Sequence, residues 1–244
     1  MLETAIALLL GHVVGDFVVQ TGWMAANKRR AEVLLLHVTL VTLASWAALG
    51  FGPPGAGLVL IFVSHLVVDA IKAHFGGGGG ARPFLLDQAA HAVFVAAAAA
   101  VDPGAWQTGL WAAWAAAEGP AAPLMAEAPR VMLIAAALIA AVWAGGHAVG
   151  AYMSGLPAPA DAGSLPKGGA AIGQLERLLV LMLMLIGQPA AIGFLIAAKS
   201  VLRFNEVANR DASEYVIVGT LASFAWALAV ALAAQAGLRG LEGA

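Results

Sequence analysis

Six stretches of this chain are apolar for long enough to cross a bilayer core of roughly 30 Å, which takes about 20 helical residues. They lie at residues 2–20, 33–49, 56–75, 84–101, 131–151 and 216–238. Lipid offers no hydrogen-bonding partner to a bare backbone, so such runs must fold as helices. With 61% hydrophobic and only 11% charged residues the chain lacks the polar surface of a soluble domain. A further apolar stretch, residues 171–204, is too long for one helix and too short for two relaxed ones. Gly187-Gln188-Pro189 interrupts it near its middle. Read as a hairpin of two short helices, it brings the total to about eight, so the expected fold is an all-α polytopic transmembrane helix bundle.

Basic residues orient such a bundle, because short cytoplasmic loops collect Lys and Arg. Lys28, Arg29 and Arg30 follow the first helix, Lys72 and Arg82 the third, Lys167 and Arg177 adjoin the sixth, and Lys199, Arg203 and Arg210 follow the seventh. Ten of the twelve basic residues then share one face, leaving Arg130 and Arg239 for the other. Both termini are expected outside the cytoplasm. The start Met1-Leu2-Glu3 has neither a basic leader nor a small-residue cleavage site, so the first helix is expected to stay in the mature protein.

Seven side chains with metal-ligating chemistry lie in these helices: His12 and Asp16, His37, His65 and Asp69, Asp87 and His91. Three pairs are four residues apart, the spacing that stacks two side chains on one helical face. Such groups are costly in lipid unless partnered. The charge-derived topology puts all seven in one layer near the cytoplasmic face. His12 and Asp16 followed by His37 at an interval of 25 match His65 and Asp69 followed by His91 at 26. Residues 1–49 and 56–101 therefore form a candidate parallel hairpin repeat within a four-helix metal-site half, 1–101. Asp87 is outside the pattern, its counterpart being about Val33. Four imidazoles and three carboxylates suit one or two divalent ions, zinc foremost and then manganese or iron, since the chain has no cysteine. The competing reading is a metal-free set of polar contacts between helices.

The rest divides into an extracytoplasmic Trp-rich loop at 102–130, a fifth transmembrane helix at 131–154, a cytoplasmic Pro/Gly linker at 155–170 and a C-terminal three-helix part at 171–244. The loop carries Trp106, Trp111 and Trp114 and reads as a helix lying in the interface with its indoles at headgroup depth. Residues 76–80, five glycines, read as a flexible turn. In the C-terminal part Glu176, Arg177, Lys199 and Arg203 form a second polar group, with Glu206 and Glu214 beside it. Its basic members can hold a phosphate or carboxylate, or merely snorkel and pair structurally. A net charge of −2 with no basic run beyond three residues gives no support to a nucleic-acid partner, and none is expected.

Gly11-His12 through Gly15-Asp16-Phe17 and Gln20, Leu35-Leu36-His37, His65 to Asp69-Ala70-Ile71-Lys72, Leu85-Leu86-Asp87-Gln88 and His91 resemble the signature of a bacterial membrane family, domain of unknown function 3307. The segments at 172–177, 193–200, 203–204, 214–215 and 219–221 resemble the C-terminal motifs of its longer members. The resemblance implies a bacterial inner-membrane protein and no particular activity. The His/Asp pattern bears a more distant likeness to inner-membrane metal-dependent hydrolases.

The leading functional expectation is a metal-dependent hydrolase of a lipid-like or phosphoester amphiphile reached from the cytoplasmic leaflet. There the seven ligands hold metal, Arg177, Lys199 and Arg203 hold the substrate anion, and Glu176 carries a proton. The alternatives are a metal-stabilised subunit or sensor without catalysis, and a transporter of a divalent cation or small substrate. Transport needs polar groups across the whole membrane, yet the halves away from the ligands offer little beyond Thr42, Ser45 and Trp46.

Overall fold

A computed structural model describes the backbone of residues 1–75, 80–157, 168–203 and 210–243, and the side chains of these except 200–203 and 210–212. The glycine run at 76–79, most of the Pro/Gly linker with Lys167, Glu206, and the side chains of Arg203 and Arg210 lie outside the described residues. Helices α1 to α12 and two π turns account for all the regular structure described. Among the described residues seven helical stretches are long and apolar enough to span a membrane: Leu2–Val19, Ala31–Ala48, Ala56–Phe75, Ala81–Val101, Ala128–Met153, Gly168–Leu185 and Ser213–Glu242. A shorter apolar helix, Ala190–Lys199, is the eighth. The chain is a multi-pass helical membrane protein.

The helices form two compact units, divided at residues 139 and 140 inside the fifth span rather than at the Pro/Gly linker. The first contains α1 (Leu2–Val14) with a π turn (Gly15–Val19), α2 (Gly22–Asn27), α3 (Ala31–Ala48), α4 (Ala56–Phe75), α5 (Ala81–Val101), α6 (Leu110–Ala116), α7 (Ala122–Ala126) and α8 (Ala128–Ile139). Helix α1 is central, packing against α3 and α8, and α3 also packs against α4. Close approach of α1 to α3 depends on Gly11 and Gly15, one turn apart. A Cβ on Gly11 would strike the Ser45 backbone, and one on Gly15 would lie 2.5 Å from Val41 Cγ2. This is small-residue packing of the kind that joins helices in membranes. Gly15→Leu is expected to push α1 from α3, costing about 1–3 kcal/mol or more of overpacking. Because α1 and its π turn carry two candidate ligands and α3 a third, the melting temperature and the bound metal should fall together. A variant that melts lower but keeps its metal would show that the ligand geometry does not depend on this contact.

One end of this unit is sealed by apolar packing of Ala7, Leu8, Ala48, Leu49, Ile61, Val95, Ala98, Ala99 and Trp106. The Trp-rich segment closes over that end as turns followed by the short helices α6 and α7, rather than as one surface helix. Trp106 is buried in the core, and Trp111 Nε1 donates to Ala47 O at 2.8 Å, while Trp114 is exposed. The inward turn has a physical cause: Ala47 O, which accepts from Gly50 N at 3.0 Å in the closing turn of α3, keeps a second lone pair for an indole N–H. The segment is tied down further by Thr4 Oγ1 donating to Pro103 O and accepting from Trp106 N. Leu110 N donates to the carbonyl of Gly50, whose φ of +82° turns the chain out of α3.

The second unit comprises a π turn (Ala140–Ala144), α9 (Gly145–Met153), α10 (Gly168–Leu185), α11 (Ala190–Arg203) and the part of α12 (Arg210–Glu242) up to Ala236. The break between α10 and α11 falls at Gly187, with φ +73°, just before Pro189. Helix α10 begins at Gly168 and has 18 residues, so it is a full span; only α11, with 14, is short.

Candidate metal centre

The first unit gathers all seven sequence-derived ligands. His12 and Asp16 sit toward the end of the first span, as do His65 and Asp69 in α4, whereas His37, Asp87 and His91 lie toward the starts of α3 and α5. Four successive spans thus deliver their polar groups to one end of the bundle, opposite the apolar seal. His12, His37, His65, Asp69, Asp87 and His91 are buried, and the Asp16 side chain is only 8% exposed.

Three overlapping triads have ligand atoms close enough for a shared ion: His12, His65 and His91; Asp16, His37 and His65; Asp69, Asp87 and His91. The second is tight. His37 Nε2 lies 3.2 Å from His65 Nε2 and 3.3 Å from Asp16 Oδ1, and His65 Nε2 lies 3.1 Å from the same oxygen. Asp69 Oδ2 adds a fourth group, 3.1 Å from His37 Nε2 and 3.7 Å from His65 Nε2. Hydrogen bonding alone serves this triangle poorly, because one Nε2–H points at one partner and two facing imidazole nitrogens share at most one proton between them. A tetrahedral ion with bonds of about 2.0–2.2 Å holds its ligand atoms about 3.3–3.6 Å apart, close to the separations observed. The donor set of imidazole nitrogen and carboxylate oxygen fits a divalent ion.

The third triad is wider. His91 Nε2 is 3.7 Å from Asp87 Oδ1 and 3.8 Å from Asp69 Oδ1, and both His91 Nε2 and Asp87 Oδ1 are buried without a hydrogen bond. One oxygen of each carboxylate is also held by a lysine: Lys28 Nζ donates at 2.8 Å to Asp69 Oδ2, the oxygen that faces His37, and Lys72 Nζ donates to Asp87 Oδ2 at 2.6 Å. His12 stands at the edge of the cluster. Its Nε2 donates to Gln88 Oε1 at 3.3 Å, and Gln88 Nε2 donates to Asp16 Oδ2 at 3.4 Å and Asp87 Oδ2 at 3.1 Å. The rings of His65 and His91 stack with centroids 4.1 Å apart.

Lys28, Lys72 and Gln88 are the members that sequence reasoning left without a site role. Lys72 carried a signal, one turn beyond Asp69 on α4, and Gln88 adjoins Asp87 in the motif. Lys28 had only the general need of buried carboxylates for counter-charge. His74 is exposed, with Nδ1 donating to Ala70 O at 3.0 Å.

The second polar group lies in the second unit and surrounds a cavity of about 540 Å³. Lys199 Nζ pairs with Glu176 at 2.6 Å and donates to Thr220 Oγ1 at 2.8 Å. Arg177, 3% exposed, is held by the π turn at 140–144, which leaves carbonyls free of their usual helical partners. Its Nε donates to Ala141 O and its Nη2 to Val142 O, both at 2.9 Å, while Nη1 donates to Ser223 Oγ at 3.1 Å. His147 lines the same cavity.

Residues 4–115 match the model of a family described as "Protein of unknown function (DUF3307)". The match supports the resemblance read from the motifs and spans the whole His/Asp cluster; the C-terminal motifs lie beyond it. No curated protein and no solved structure matches the chain.

Proposed function

We propose that the cluster holds one divalent ion, zinc before manganese or iron, on Asp16, His37, His65 and Asp69, and that the protein is a metal-dependent hydrolase of an amphiphilic ester or phosphoester. The observation that carries the metal is the near-equilateral triangle of Asp16, His37 and His65. Charge favours one ion over two: three carboxylates against Lys28 and Lys72 leave a single negative charge, which one divalent cation reverses and two would overshoot. In this reading the lysines and Gln88 orient the carboxylates from outside, as the partners of metal ligands do. Asp87, His91 and His12 border the ion. A divalent ion there supplies Lewis-acid polarisation of a phosphoryl or acyl oxygen and activation of water.

The one-sided architecture supports hydrolysis over transport. Beyond the cluster the bundle is filled by the apolar seal, Thr42 Oγ1 donates to Val38 O of its own helix, and Trp46 Nε1 donates to Gly52 O. Substrate therefore enters from the lysine-bearing end, which the basic loops assign to the cytoplasmic leaflet of a bacterial inner membrane, with both chain termini on the other side.

The test is turnover by purified, zinc-loaded protein on a panel of phospholipids, polyprenyl phosphates and soluble phosphoesters. Activity removed by a chelator, restored by zinc and lowered about 100-fold or more in Asp16→Asn supports the reading. Fully loaded protein inert across the panel would overturn it. The two lysine–carboxylate pairs favour a second reading, a metal that ties four helices together without chemistry. It predicts a large fall in melting temperature on chelation and no reaction to lose.

A further inference from the structure

We infer that the cavity of the second unit is a binding site for an amphiphile with a singly charged two-oxygen head, independent of the metal reading. Three observations carry this. The first is charge. Lys199 is neutralised by Glu176 at 2.6 Å, whereas Arg177 has only neutral partners, two main-chain carbonyls and a serine hydroxyl. Glu176, its chain neighbour, acts on it electrostatically but is already paired with Lys199. Two cations sharing one carboxylate leave a positive charge in excess, and an anion in the cavity would supply the missing charge.

The second is donor geometry. Of the N–H groups of the guanidinium, Nε and one on each terminal nitrogen are committed, which leaves one N–H on Nη1 and one on Nη2. Such a fork matches the two oxygens of a carboxylate or a phosphodiester. Two glycines keep it uncovered: a Cβ on Gly173 would lie 3.1 Å from Nη1, and one on Gly146 would lie 3.3 Å from Nη2.

The third is the shape and lining. The cavity reaches from Met153 at the end of α9 and Gly169 in the first turn of α10 inward to Arg177 and Ser223, with Trp143, Ile172 and Val216 among its walls. Its volume of about 540 Å³ is far beyond a lone phosphate or acetate and falls in the range of small-molecule sites. The cationic floor takes the head and the apolar walls take the body, while Glu176 and Thr220 fix Lys199 beside them.

The experiment is titration of the full chain in neutral detergent with phosphatidylglycerol, oleate, phosphatidylcholine and inorganic phosphate, read by native mass spectrometry and by the melting temperature. Saturable binding of phosphatidylglycerol or oleate at one site per chain is expected, with neither inorganic phosphate nor phosphatidylcholine competing at equal concentration. Preference between the two anionic ligands identifies the source of the head group. Arg177→Gln should weaken binding about tenfold or more. Because Arg177 also holds the π turn, Gly173→Ala is the companion variant. It crowds Nη1 while keeping the charge, and should weaken binding severalfold in a protein that melts near wild type. His74→Ala, in the other unit, should bind as wild type. Equal binding of phosphatidylcholine, or unchanged affinity in Gly173→Ala, overturns the inference.

Discussion

Protein loaded with excess zinc and freed of unbound ion is expected to retain one zinc per chain, and His65→Ala to bind zinc about 100-fold or more weakly. His65 Nε2 belongs to two of the three triads and is an edge of the tight triangle, 3.1 Å from Asp16 Oδ1 and 3.2 Å from His37 Nε2. Zinc sites of about 10–16 kcal/mol built on four ligands lose roughly a quarter of that with one ligand, about 100-fold or more in affinity. Asp87→Asn is the informative contrast. Asp87 sits in the wide triad with its outer oxygen on Lys72, so it should keep its zinc with affinity lowered at most about tenfold. Elemental analysis of the two variants beside wild type decides the matter. Two ions in wild type, with one lost in each variant, would replace the single-ion centre by a pair bridged by Asp69, whose two oxygens face His37 and His91 separately.

The gathering of these seven side chains was legible in the sequence, and for a definite reason. A histidine or aspartate inside an apolar run is costly, so seven of them at helical spacing announce that they meet. The hydropathy runs located the spans to within a few residues, and the Gly187 to Pro189 break separated α10 from α11 where expected. What stayed hidden depends on reach and on local backbone irregularity. Lys28 and Lys72 read as markers of topology because a lysine that merely orients a loop and one that curls back to a carboxylate have the same sequence signature. The π turn at 140–144 lies in a plain Ala- and Val-containing stretch, and only the Arg177 side chain, dozens of residues away, gives it a function. The Trp111 indole turned inward to donate to Ala47 O near the end of α3, and Trp106 to fill the apolar seal, demands absent from any local pattern.

Lys28→Met is expected to have opposite effects on the metal-free and metal-loaded protein. The Lys28 side chain is 13% exposed and that of Asp69 2%, so their pair at 2.8 Å is largely shielded from water. Removing one partner of such a pair leaves the other uncompensated, at about 3–5 kcal/mol, and the exposure of Lys28 puts the cost near the lower figure. The metal-free variant should therefore melt several degrees below wild type. Loading reverses the balance: without Lys28 the cluster carries three carboxylates against one lysine, so a divalent ion neutralises it where in wild type the ion leaves an excess positive charge. At an effective dielectric near 20, deleting one positive charge several ångströms from the ion is worth a few kcal/mol, enough to tighten metal binding about tenfold or more. Saturating zinc should then recover most of the lost stability, since a ligand at about 1,000 times its dissociation constant contributes about 4 kcal/mol. Melting curves with and without zinc, and a competition titration against a chelator, measure both halves. If Lys28→Met bound zinc more weakly than wild type, Lys28 would be a positioning partner that the ligand geometry cannot do without, and the charge argument for a single ion would fall.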